Sequence, residues 1–238
     1  MSARTKILAH CFSNIYSWII GQQSNEPHKS KLVFHPVVVS ELNQISEILD
    51  GQLYLSGSNP LTADKLHSLG ITSIVCCLTE AEEKHVLTSS YYQTKIPKLR
   101  VRVLDSEKSD LSIYFEAVGK FIDDEIRRGG KVLVHCVAGI SRSVSLILAY
   151  LIRYKNYSLM NAYDFVAERR KIIEPNDGFF CQLARYERRL RAQHHMSTIN
   201  EVGEMNEVDD EGPDQGLVLS FNDETVKYVN ECQQGVVA

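Results

Sequence analysis

Several features are scarce in this chain, and each scarcity closes off a class of protein. Proline is rare, with six in 238 residues, while 44% of the residues are apolar. That balance argues for a folded core rather than a disordered or fibrous chain. No apolar run reaches the roughly 18 residues that a bilayer requires, so no membrane-spanning helix is expected. The six cysteines, at positions 11, 76, 77, 136, 181 and 232, contain no Cys-x-x-Cys pair and no His/Cys spacing of a metal site. Neither a metal nor a cofactor is therefore expected. There is no internal repeat, and no basic patch interleaved with aromatics of the kind that grips nucleic acid, so a nucleic-acid partner is not expected either.

Charge is unevenly placed. The chain as a whole carries −4, but from His195 onward there are ten Asp and Glu against one Lys. That tail has a net charge of −9, which leaves about +5 for residues 1–194. A basic body suits an enzyme that handles anions; a merely solvated acidic tail is the equal alternative. The tail has few large apolar residues and is expected to be mostly disordered. Residues 1–25 hold Arg4 and Lys6 and no acid, with Ile7, Leu8, Cys11, Phe12, Ile15, Trp18 and Ile19 near helical spacing. This segment could target an organelle, touch a membrane surface, pack on the domain or dock a partner.

The length suits one domain with tails, or two small ones. Residues 1–45 read as an extension containing a polar linker at 20–31, residues 46–193 as a catalytic domain, and residues 194–238 as the acidic tail. Within the domain, 52–55 reads as the first strand. Residues 61–69 form a helix started by Thr62 and stopped by Gly70. The continuous apolar run 71–78 suits a buried central strand, and 98–104 alternates basic and apolar residues up to Asp105. A helix over 113–127 places Phe115, Val118, Ile122 and Ile126 on one face, and Gly129-Gly130 closes it. A strand over 131–135 follows. Helices over 142–154, 158–171 and 178–191 complete the domain, with Pro175 and an Asn-Asp-Gly turn before the last. The expected fold is an α/β sandwich with a short mixed central β-sheet flanked by helices.

The richest segment is Val132-Leu133-Val134-His135-Cys136-Val137-Ala138-Gly139-Ile140-Ser141-Arg142-Ser143. A buried strand delivers a thiol, a five-residue spacer follows, and an arginine opens a helix. The first N–H groups of that helix have no intrahelical partner and can bind an anion. Arg142 supplies a planar fork that matches two phosphate oxygens. A cation at a helix N-terminus opposes the dipole, so an arginine placed there is suited to an incoming anion. Helix dipoles and nearby cations lower thiol pKa values from about 8.5 to about 3.5–7.5. A fall of three units represents roughly 4 kcal/mol, more than the ~2 kcal/mol a dipole supplies, so loop N–H groups and Arg142 must provide the rest. Gly139 allows the loop to turn so that its amides converge.

The run His135-Cys136-x-x-Gly139-x-x-Arg142-Ser143 resembles the HCxxGxxR[ST] signature of cysteine-based protein phosphatases. Ala149-Tyr150-Leu151-Ile152 and Pro175-Asn176-Asp177-Gly178-Phe179 resemble the AYLM and PNxGF segments of dual-specificity phosphatases, so the resemblance runs from about Ser46 to Leu190. No kinase-docking domain is expected within the 45 or so residues before this region, and the likeness is to the small atypical members. It implies that fold and a protein phosphatase acting on phosphotyrosine, phosphoserine and phosphothreonine through a cysteinyl-phosphate. Cys136 would be the nucleophile, and Val137, Ala138, Gly139, Ile140, Ser141 and Arg142 the phosphate-binding loop. Ser143 would help the thiolate leave, with a helix-start role as its alternative. His135 would orient the loop and tune the thiolate, or serve only as a structural histidine. Asn176 would hold the turn before the last helix near the loop.

A leaving oxygen needs a proton, and a carboxylic acid can supply it. Asp105, six residues before Leu111 as in similar dual-specificity phosphatases, is the candidate acid and then base. Its competitor, Asp110, could instead cap the following helix. Cys76 and Cys77 end a central strand pointing at the same loop, and either could bridge an oxidised Cys136; inert burial is the alternative. The loop carries no lysine, which weakens a phosphoinositide reading. The same signature would also serve an RNA 5′-triphosphatase, or a pseudo-phosphatase scaffold that captures phosphoproteins without turnover. Phosphorylated proteins are the expected partners. The thiol must stay reduced, so a cytoplasmic or nuclear location is expected, with a mitochondrial or membrane-peripheral one as the alternative.

Overall fold

The computed structural model describes the backbone of residues 36–202 and the side chains of residues 38–193. The segment expected to form an N-terminal amphipathic helix, and most of the acidic tail, lie outside the described residues.

A short helix, α1 (Pro36–Leu42), leads into strand β1 (Ile45–Leu49), a hairpin partner of β2 (Leu53–Ser56). Then come α2 (Ala63–Leu69), β3 (Ser73–Cys76), α3 (Glu80–Val86) and β4 (Lys98–Arg100). A 3₁₀ turn (Ser112–Tyr114) runs into α4 (Phe115–Arg127), followed by β5 (Val132–His135). Three helices end the described chain: α5 (Arg142–Tyr154), α6 (Leu159–Arg169) and α7 (Asp177–Val202). The strands form one mixed sheet in the order β1-β2-β5-β3-β4, antiparallel only at β1–β2.

Period-two alternation explains the two faces of this sheet. Leu53, Leu55, Val75, Val132 and Val134 point into a core shared with α4 to α7. Tyr54, Ile74 and Leu133 point the other way, toward Leu61, Leu66, Ile71 and Tyr91. The central strands are covered on both faces, which is why they read as continuous apolar runs. Each fully buried Val, Leu or Ile contributes on the order of 2 kcal/mol relative to exposure. Helix α5 is the centrepiece, with every residue from Arg142 to Ile152 buried. Helix α4 buries Phe115, Val118, Ile122 and Ile126, the predicted stripe. Thr62 caps α2 by accepting from the Lys65 N–H, and Gly70 ends it in the left-handed region.

Several expectations need correction. The sheet begins one strand earlier than 52–55, because Ile45–Leu49 alternates as a half-buried edge strand. Helix α3 was not expected, although Thr79-x-x-Glu82 is a capping box in which each residue's side chain accepts from the other's backbone N–H. The first turn of the 113–127 helix is 3₁₀, and the last helix continues to Val202 rather than stopping at 191. Pairing of β4 ends at Arg100; beyond it only the Val101 N–H reaches across, to the Cys76 carbonyl.

Candidate active site

Strand β5 carries the chain to the carboxyl end of the sheet at its centre, where ligands bind in parallel α/β layers. There it delivers Cys136, which is 1% exposed. The Gly139 N–H donates to Sγ at 3.2 Å and the Ser143 hydroxyl donates to it at 3.1 Å. Gly139 lies at φ 71°, and a Cβ there would run into the Ser56–Gly57 peptide, so only glycine permits this turn.

The loop is held open by its carbonyls. Ser58 donates to the oxygens of Cys136 and Val137. Arg170 donates through Nε to the Gly139 oxygen at 2.7 Å and through an η-nitrogen to the Ala138 oxygen at 3.1 Å. The Glu174 N–H donates to the Ile140 oxygen. With each of these carbonyls drawn outward, the N–H edges of the same peptides turn inward, which makes a nest for an anion. Val137, Ile140 and Ser141 are buried, so the loop is packed rather than splayed.

Arg142 is fully buried at the start of α5 and points across this nest. Glu82 grips it with two bonds, 2.7 and 2.9 Å, and the Val103 carbonyl accepts a third at 3.1 Å. Its Nε has no hydrogen-bond partner and lies 3.4 Å from Asp105 Oδ2. Burial opposes the charge, but the Glu82 hydrogen bonds and the charges of Cys136, Glu82 and Asp105 outweigh it and hold the guanidinium above its ordinary value. Arg142 thus spends its two η-nitrogens on its anchors and turns Nε, which makes no hydrogen bond, toward Asp105.

Asp105 projects over the loop. One carboxylate oxygen accepts from the Ser141 hydroxyl at 2.7 Å and from the Asn176 amide at 2.9 Å. Asn176 uses its other side-chain atom to accept from the Phe179 N–H, which fixes the first turn of α7. The Asp105 loop itself sits against that turn, since a Cβ on Gly178 would collide with the Glu107 backbone. Asp110, the rival acid, accepts from the Ser112 N–H and hydroxyl at the start of the 3₁₀ turn.

His135 is completely buried behind the nucleophile. Its Nδ1 lies 3.2 Å from the Cys136 carbonyl and must carry the proton there, so Nε2 is the unprotonated nitrogen. That nitrogen has no partner, and the ring meets Tyr91 edge-on at 5.5 Å. Burial lowers the imidazole to about 4, leaving it neutral near pH 7.

A thiol at a strand end, bonded by a loop N–H and a helix hydroxyl and faced by an anchored arginine, is built for a transferable dianion. Sequence comparison agrees: residues 53–189 match the family model described as "Dual specificity phosphatase, catalytic domain". The chain belongs to the dual specificity phosphatase family. It is 48% identical over 106 residues to a protein of Invertebrate iridescent virus 6 named for a tyrosine phosphatase, 123R, a match covering 44% of this chain and 75% of that one. It is 38% identical over 143 residues to human dual specificity protein phosphatase 1, covering 60% of this chain but only 37% of that longer protein. Among solved structures, the human tyrosine phosphatase-like serine/threonine/tyrosine-interacting protein is similar, with 34% identity and a TM-score of 0.56. That match covers 60% of this chain and 95% of the human one. The chain is a dual-specificity protein phosphatase by sequence family and by fold.

In this dual specificity phosphatase, the structure gathers Cys136, Arg142, Ser143, Asp105 and Asn176 at one end of the sheet, with His135 beneath. Two residues of the site were not expected from sequence. Glu82 holds Arg142; its only local signal was the capping box, whose carboxylate here serves helix and arginine together. Arg170 holds the phosphate loop, and its other η-nitrogen donates to the carbonyls of Glu41 and Gln44 and to the Ser46 hydroxyl. All of these partners are neutral. Burial lowers its guanidinium to about 10, so the cation persists near pH 7 beside the thiol. Among the described residues no cluster of metal-ligating side chains occurs, and no helix is long and apolar enough to cross a membrane.

Proposed function

We propose that this phosphatase uses Cys136 as nucleophile, Arg142 and the inward-facing N–H groups of residues 137–142 as phosphate clamp, and Asp105 as proton donor and acceptor. In the first step the Cys136 thiolate attacks phosphorus, an S–P bond forms and the bond to the substrate oxygen breaks. Asp105 gives that oxygen its proton. In the second step water attacks phosphorus and loses a proton to Asp105. The S–P bond breaks, and the departing thiolate accepts from the Ser143 hydroxyl. The Asp105 carboxylate now leans on Arg142 Nε; a phosphoryl oxygen taking that nitrogen displaces Asp105 toward the leaving group.

The convergence of the Gly139 N–H and the Ser143 hydroxyl on one sulfur carries this reading. It is tested by hydrolysis of an aryl phosphate, with inhibition by vanadate and loss in Cys136→Ser as the expected results. The intact set of thiol, arginine and carboxylate supports turnover over mere capture of phosphoproteins. The apolar Val137, Ala138 and Ile140 support protein phosphoesters over inositol phosphates, whose extra charges would call for loop lysines. A role in signalling, in a reducing compartment such as cytosol or nucleus, follows from the substrate class and the need for a free thiol.

A further inference from the structure

The loop that carries Asp105 runs alongside α7 in the same direction. Asp105 accepts from Asn176 just before the helix, and the Glu107 backbone packs on Gly178. One turn further on, Gln182 holds the end of the loop. It accepts from the Leu111 and Ser112 N–H groups at 2.8 and 3.0 Å and donates to the Ser109 carbonyl at 2.8 Å. Where this seam ends, an open cleft of about 300 Å³ lies between loop and helix, lined by Asp110, Ser112, Gln182, Arg185, Tyr186 and Arg189. The hydrolysis steps make no use of it.

Its character is cationic. Arg185 and Arg189 are exposed and four residues apart, on one face of α7. The Arg189 guanidinium lies 5.2 Å from the ring centre of the buried Tyr186, which steadies it over the cleft. Its carboxylate neighbour, Glu116, is 3.5 Å away and also faces Arg153 at 3.7 Å. An exposed pair at that distance is weak and yields to a better-placed acid. Three arginines thus stand against Glu116 and Asp110, and Asp110 is engaged with Ser112. Leu104 and Ile113, the two most exposed large apolar side chains among the described residues, bracket the loop. They give a peptide lying along it an apolar footing at each end.

We propose that this cleft selects substrates by taking an acidic side chain four to six residues from the phosphorylated one. The proposal rests on the protein phosphatase reading of the Cys136 site. Its spacing follows from the helix. Arg185 and Arg189 lie nine and thirteen residues beyond Asn176, which at ~1.5 Å per residue is about 14 and 20 Å. An extended chain covers about 3.3 Å per residue, so four to six residues span the gap and one or two fall short. The acid is held equally before and during phosphoryl transfer, so its effect falls on KM and not on kcat.

The test measures kcat and KM of the full chain on phosphotyrosine peptides. A pair of glutamates stands four and five residues from the phosphotyrosine on its N-terminal side, or on its C-terminal side, or one and two residues away, or is absent. One of the two distant placements should raise kcat/KM about 5- to 10-fold through KM. The advantage should vanish in about 0.5 M salt and in the double variant Arg185→Gln, Arg189→Gln. That variant should turn over nitrophenyl phosphate, too small to reach the cleft, within about twofold of the parent. Equal values on all four peptides, an advantage confined to the near placement, or one that survives in the double variant overturns the proposal and leaves the phosphatase reading intact. An advantage that emerges only when Glu207, Asp209, Asp210 and Glu211 are exchanged for Gln and Asn gives the cleft to the chain's own acidic tail and overturns it too. Absence of turnover on every peptide and on nitrophenyl phosphate overturns both.

Discussion

Glu82 and Arg142 form a bidentate pair, 2.7 and 2.9 Å, with side chains 6% and 1% exposed. The Thr79 N–H also donates to the carboxylate oxygen that takes the shorter of these bonds. One acidic side chain therefore couples the start of α3 to the arginine that opens α5. Removing one partner of a buried pair leaves an uncompensated charge and costs about 3–5 kcal/mol. Glu82→Gln should lose stability on that scale in urea unfolding. Below its melting range it should show kcat/KM lowered at least ~10-fold, since even small misplacement of a clamp is costly. Values within twofold of the parent on both measures would show that Arg142 needs no anchor.

Arg170 makes a different prediction, because it touches only neutral acceptors. Arg170→Met keeps much of the side-chain volume but frees the Ala138 and Gly139 carbonyls to rotate. Inhibition by vanadate should weaken by roughly 10- to 100-fold, together with a stability loss of about 2–4 kcal/mol from the buried acceptors left unpaired. Unchanged vanadate affinity would mean that the loop holds its shape without Arg170.

For Asp105, the decisive variable is the leaving group. Asp105→Asn should slow hydrolysis of alkyl-type phosphoesters, such as phosphothreonine peptides, by about 10²- to 10⁴-fold. Turnover of a nitrophenyl phosphate, whose leaving group needs no proton, should fall far less. Asn176→Ala should show a weaker form of the same pattern, having lost one bond to Asp105 and one to α7. Equal losses on both substrates would remove Asp105 from proton transfer.

His135 links the site to pH. Burial first, and the Arg142 and Lys98 cations behind it, place its folded value at about 4, whereas an unfolded histidine titrates near 6.5. The folded state therefore binds this proton less readily than the unfolded one. The resulting stabilisation is fully present above about pH 6.5 and is lost as pH falls through 4. The gap corresponds to about 3 kcal/mol. Urea unfolding at pH 7 and pH 4 should show that much less acid destabilisation in His135→Asn than in the parent; identical losses would refute it.

How much of this was legible in the sequence follows from distance along the chain. Cys136, Gly139, Arg142 and Ser143 lie within one strand–loop–helix unit, where local spacing dictates geometry. The same locality made Thr62, Gly70 and the α4 stripe readable. Asp105 emerged only through family likeness, and the choice over Asp110 rests on the latter's bonds to Ser112. Glu82 and Arg170 were missed because nothing near them in sequence marks their partners. Glu82 lies in an acidic run, and Arg170 among several basic residues near the end of a helix. Their roles arise from packing across the sheet.

The central claim is that phosphate passes through a covalent bond to Cys136. Acid-quenched Ser143→Ala, caught during turnover of nitrophenyl phosphate and mapped by mass spectrometry, tests it most directly. A phosphoryl adduct on the Cys136 peptide, abundant in the variant, scarce in the parent and absent in Cys136→Ser, is predicted. Turnover persisting in Cys136→Ser, or an adduct on any other residue, would contradict the account.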